Sequence, residues 1–79
     1  MIDPNRTHYS PHEVFRLCEE VRPGISAMVT TTLEKRHKIW SVSTGTQTLY
    51  PIAQVEKLIA LVKEAELVER NGFLILPNS

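Results

Sequence analysis

The sequence has little of what staples or tethers a small protein. Cys18 is the only cysteine among 79 residues, so no disulfide can form within the chain. A lone thiol suits a reducing compartment, where it behaves as a small buried hydrophobe. Only three glycines occur, too dispersed for a loop that cradles phosphates. There is no excess charge, with nine Lys and Arg against nine Asp and Glu. The signs are also mixed, with six basic and five acidic groups in residues 1–40 and three and four in the rest. That balance does not imply a general electrostatic affinity for nucleic acid or membrane surfaces. Lys57 and Lys63 interrupt the longest apolar candidate, so no run reaches membrane-spanning length. Met1 to Arg6 lacks the apolar centre of a signal peptide. The expectation is a cytoplasmic protein with no membrane partner.

What is present fits one small domain. A chain this short buries roughly 60–65% of its unfolded surface, so stability is marginal and a homodimer is the expected way to bury more. Residues 1–9 are polar, contain Pro4 and read as a flexible amino-terminal arm; residues 10–79 form the domain. Ser10, Pro11 and Glu13 make a capping box with proline at the first helical position. Val14, Leu17, Cys18 and Val21 then form an apolar stripe that ends at Pro23-Gly24, which predicts a helix over about 11–22.

Met28–Leu33 and Ile39–Thr44 are rich in β-branched residues and read as strands, with Glu34–Lys38 as the hairpin tip and Thr48–Tyr50 as a third strand. The rival reading makes residues 25–36 a second helix; three consecutive threonines argue against it. Pro51 opens another helix, whose Ile52, Val55, Leu58, Ile59, Leu61, Val62 and Ala65 are apolar around more than half the circumference. Asn71-Gly72 between two strand-like runs predicts a hairpin pairing Arg70 with Phe73 and Val68 with Ile75. The fold class is therefore α+β: a capped helix, a short antiparallel β-meander, a second amphipathic helix and a carboxy-terminal β-hairpin. The expected core is Val14, Leu17, Cys18, Val21, Val29, Leu33, Val42, Leu49, Val55, Leu58, Ile59, Val62, Leu67, Phe73 and Ile75.

Catalysis is not expected. Cys18 lies on the apolar stripe, away from anything that would lower its pKa, and no carboxylate pair stands out. His8, His12, His37 and Cys18 are too scattered for a structural zinc site, and no cofactor is implied.

Two binding functions remain. Residues 52–77, from the Val55–Val62 helix through Ala65–Arg70 and Asn71-Gly72 to Phe73–Leu76, resemble the end of a winged helix DNA-binding domain. The resemblance implies a helix reading the major groove and a hairpin wing on the backbone, in a regulator of transcription or replication. The chain departs from that pattern before Pro51, where Ser43–Gln47 reads as turn and strand instead of a helix and tight turn. A nucleic-acid partner would meet Lys35, Arg36, Lys38, Lys57 and Arg70, with Trp40 able to stack on a base. The alternative is a protein-binding inhibitor or adaptor, of the size that bacterial and phage genomes often encode, acting through Trp40, Tyr50, Phe73 and Ile75 and the apolar helix face.

Overall fold

A computed structural model describes residues 2–77. The first residue of the expected arm and the last two of the expected domain lie outside the described residues. Two residues pair before the first helix, as β1 (His8–Tyr9). Helix α1 (Pro11–Val21) then starts as the capping box dictates. Ser10 Oγ accepts from the Glu13 N–H (3.3 Å), and Glu13 Oε1 accepts from the Ser10 N–H (3.0 Å). The stripe Val14, Leu17 and Cys18 is buried.

Residues 27–36 are helical, which overturns the strand expected at Met28–Leu33. Helix α2 (Ala27–Arg36) is capped by Ser26, whose Oγ accepts from the Met28 N–H (3.2 Å). The Thr30 hydroxyl turns back to the Ala27 carbonyl (2.9 Å), so it is satisfied while buried. Three threonines cost a helix up to about 0.7 kcal/mol each relative to alanine. Burying Val29 and Leu33 returns about 1.5–3 kcal/mol each. The four-residue spacing of Val29 and Leu33 brings both inward, beside Ile25 ahead of the cap, and that term outweighs propensity.

The loss of that strand moves the Glu34–Lys38 stretch from a hairpin tip to a helix end. Lys35 and Arg36 occupy the last turn of α2, where positive side chains complement the helix dipole. His37 is the C-cap, and Lys38 follows in a left-handed conformation, φ 54°. Across it the Ile39 N–H reaches the Glu34 carbonyl (2.9 Å), a Schellman closure.

Two short strands come next, β2 (Val42–Ser43) and β3 (Thr48–Pro51). They pair antiparallel, Val42 with Leu49 and Ser43 with Thr48. The meander is completed by β1 rather than by residues 28–33, in the order β1-β3-β2, with Tyr9 opposite Tyr50. The end of the expected flexible arm is therefore tied down. Tyr9 is buried, its hydroxyl accepts from the Asp3 N–H (2.7 Å), and Arg6 makes a bidentate pair with Glu13 (2.8 Å twice) while stacking on the Tyr9 ring.

Helix α3 (Ile52–Glu64) starts directly after Pro51, and its first N–H is taken by the Thr7 carbonyl (2.9 Å). Val55, Leu58 and Val62 are completely buried against α1 and α2. The far end of α3 is capped from a distance: Arg22, at the close of α1, donates to the carbonyls of Val62, Lys63 and Ala65 (3.1–3.3 Å). Strands β4 (Val68–Arg70) and β5 (Phe73–Ile75) pair in the expected register, with Asn71 and Gly72 both at positive φ. Leu74 also docks the hairpin onto the α1–α2 corner, through Leu74 N–H to Gly24 O (2.8 Å) and Ser26 N–H to Leu74 O (3.0 Å). Two residues expected inside, Val42 and Phe73, are exposed, because β2 and the hairpin turn lie at the rim. Tyr9 and Ile25 take core places instead.

Candidate nucleic-acid interface

Three of the nine cations are committed to the fold. Arg6 pairs with Glu13, Arg16 lies 3.9 Å from Glu19, and Arg22 caps α3. Among the described residues, Lys35, Arg36, Lys38, Lys57 and Arg70 make no ion pair, and all five are exposed. The side chains singled out from the sequence are thus ones that folding leaves uncommitted.

Three of them, Lys35, Arg36 and Lys38, sit together at the end of α2. After α2, residues 37–40 run back along α3. Arg36 and His37 line a cleft of about 360 Å³ with Leu61 and Glu64, and the Trp40 N–H donates to Gln54 Oε1 (3.2 Å). Gln54 and Leu61 stand seven positions apart on one α3 face, and Lys57 flanks the row between them. Lys57 thus lies on the stretch of α3 that residues 37–40 run along. Trp40 stands at the same place, 54% exposed. Arg70 does not join this group. It sits on the β4–β5 hairpin, whose Leu74 docks at the start of α2, at the opposite end of that helix from Lys35–Lys38.

The exposed polar side chains of α3 are few. Ala53, Glu56, Lys57, Ala60, Lys63 and Glu64 face out, and Gln54 is spent on Trp40. Such a face can offer ammonium groups to phosphates but hardly any hydrogen-bonding forks to base edges. Between α2 and α3 lies a fifteen-residue connection (37–51) containing a hairpin, in place of the tight turn of a winged helix domain.

The protein-binding residues fare unevenly. Phe73 is 58% exposed. Ile75 is half-buried, and β5 is bonded on both sides at Leu74, by β4 and by the α1–α2 corner, so it is no free edge for strand addition there. Tyr50 is not an open platform either: it is half-buried and its hydroxyl donates to Glu34 Oε1 (2.5 Å). Burial, followed by that carboxylate, pushes the phenol up to about 12. Burial and the Glu34 charge also push the Cys18 thiol up to about 11, so at neutral pH it is a protonated, inert packing group. The described residues contain no cluster of three metal-ligating side chains, and none of their helices is long and apolar enough to cross a membrane.

Sequence reading missed the Arg22 cap, the Tyr50–Glu34 bond and the anchoring of Arg6 and Tyr9. The first two join residues 16 to 43 positions apart without any local motif to announce them. Comparison with protein-family models, curated proteins and solved structures returns no match to this chain.

Proposed function

We propose that the chain is a small non-catalytic regulator that grips the backbone of duplex nucleic acid with the end of α2 and the outer face of α3. The observation that carries this reading is that Lys35, Arg36 and Lys38, exposed and without an ion pair among the described residues, crowd the end of α2, with exposed Trp40 two residues beyond and bonded to the helix that carries Lys57. A helical segment 27–36 adds support, since three helices followed by a hairpin is closer to a winged helix arrangement than a meander would be. The scarcity of polar side chains on α3 favours phosphate contacts over base reading, so discrimination between sequences should be weak.

Fluorescence anisotropy with a labelled mixed-sequence duplex tests the proposal. Four phosphate-neutralising cations give a slope of log K against log salt near about −3.6, or an affinity loss of about 150-fold between about 50 and 200 mM salt. Arg36→Glu and Lys57→Glu should each weaken binding strongly. Absence of binding at low salt, or binding indifferent to salt, removes the idea.

A second reading has one specific support. Phe73 and Met28 are large apolar side chains left more than half exposed, which suits a protein-binding adaptor. That reading expects a stable complex with one protein, lost in Phe73→Lys while the melting temperature holds.

A further inference from the structure

We propose that the β2–β3 hairpin is a second nucleic-acid contact, a neutral arm whose hydroxyl groups hydrogen-bond the sugar–phosphate backbone. This rests on the cation reading above and extends it to residues that carry no charge. Seventeen consecutive residues, Ile39 to Val55, contain no Asp, Glu, Lys or Arg in a chain otherwise 23% charged. Within them Ser41–Thr48 are all exposed. Thr44 is used internally, its hydroxyl and N–H both directed to the Gln47 carbonyl. The side chains of Ser41, Ser43, Thr46, Gln47 and Thr48 make no hydrogen bond among the described residues. Hydroxyl and amide side chains of this kind commonly bond phosphate oxygens and sugars. A carboxylate anywhere on the arm would repel them, and there is none.

The root of the arm is tied to α2 and α3, the two helices that carry Lys35, Arg36 and Lys57. Tyr50 ties β3 to α2 through Glu34, and Gln54 ties Trp40 to α3. Fully extended, the chain from Trp40 to the turn at Gly45 would span at most about 17 Å, at about 3.4 Å per residue. The major groove is about 12 Å wide. With Lys38 and Lys57 on one phosphate strand, an arm of that length would suffice to meet the other. Neutral contacts release no counterions, so they add affinity at every salt concentration without steepening the salt dependence.

The experiment uses the full chain, the same labelled duplex and a salt series. Variants are Thr46→Glu, a quadruple Ser41→Ala, Ser43→Ala, Thr46→Val, Thr48→Val change, and Lys57→Glu, with circular dichroism melts checking that each folds. Thr46→Glu should weaken binding about tenfold or more by repulsion. The quadruple variant should lose about five- to tenfold, with a salt line parallel to that of the native chain. Lys57→Glu should instead flatten the line. If both arm variants bind as the native chain does while Lys57→Glu is weakened, the arm proposal is overturned and the cation reading stands. If the native chain binds no duplex, both fall.

Discussion

Lys38 holds a left-handed backbone, φ 54°, at the position after a helix C-cap where glycine is usually found. Replacing it with glycine should stabilise the protein and, on the proposed function, weaken binding to nucleic acid. A side chain in that conformation costs about 1–2 kcal/mol. Glycine removes the strain but brings back about 0.5–1 kcal/mol of unfolded-state freedom. The net gain is about 0.5–1 kcal/mol. Unfolding entropy of about 2.1 cal/mol/K per residue gives about 0.17 kcal/mol/K for the whole chain, so the melting temperature should rise by about 3–6 °C. The Ile39 N–H to Glu34 O closure is a backbone bond and survives the change. Thermal melts followed by circular dichroism measure the first effect. Anisotropy measures the second, expected as a salt slope shallower by about 0.9. A melting temperature equal to or below that of the native chain would refute this account of the α2 end. A strained lysine where glycine fits better is the kind of local inconsistency expected of a functional side chain.

Three further outcomes follow from the packing and the hydrogen bonds. Tyr50→Phe deletes the hydroxyl that donates to Glu34 and should cost about 1–2 kcal/mol, the low end for a bond to a charged group because both partners are half-exposed; chemical denaturation of the single and Glu34→Gln double variants should show coupling between them. Because burial and Glu34 raise the Tyr50 phenol from 10 to about 12, the protonated phenol favours the fold, and stability should be intact below pH 10 and fall as pH rises through 12. The Arg6 guanidinium, with the Ser10 N–H, holds Glu13 down at about 2 from 4.5, so the native chain should lose stability as pH falls from 4.5 towards 2, and Glu13→Gln should flatten that acid limb in a denaturation series across pH. Leu58→Ala opens a cavity among completely buried Val55, Val62 and Cys18 and should cost about 2–5 kcal/mol in chemical denaturation; a loss below about 1 kcal/mol would mean that α3 is not the centre of the core.

Elements governed by one local rule were legible. Ser10, Pro11 and Glu13 specify the start of α1, and Asn71-Gly72 specifies the hairpin register, because capping and a two-residue turn involve only neighbours. Helix α3 was legible too, since its apolar positions repeat over three turns. Residues 28–33 were not. Threonine propensity and helical spacing pointed opposite ways, and only tertiary burial of Val29 and Leu33 decides between them. That one reversal moved Lys35, Arg36 and Lys38 from a hairpin tip to a helix end. Of the candidate site, the cations were recoverable as residue types, but their placement was not: it depends on the Trp40–Gln54 bond and on α2 lying against α3. Arg70, grouped with them by charge alone, sits on the hairpin docked at the other end of α2.

A formal charge of zero says little about this surface, because the fold spends its charges unevenly. Arg6, Arg16 and Arg22 are neutralised or occupied, as are Glu13 and Glu19 facing two of them, and Glu34 is engaged by Tyr50. What remains at the end of α2 is three cations within four residues beside the still-charged Glu34, and no carboxylate occurs in the sequence between Glu34 and Glu56. Potentials are screened over about 8 Å at physiological salt, so a ligand at that end responds to those side chains and not to the average of the chain. Glu56 beside Lys57, and Glu64 and Glu66 across the cleft from Arg36, set a ceiling on the attraction. On the proposed reading, part of the affinity would come from contacts that carry no charge, and the exposed hydroxyls of the β2–β3 arm and the Trp40 ring would supply them.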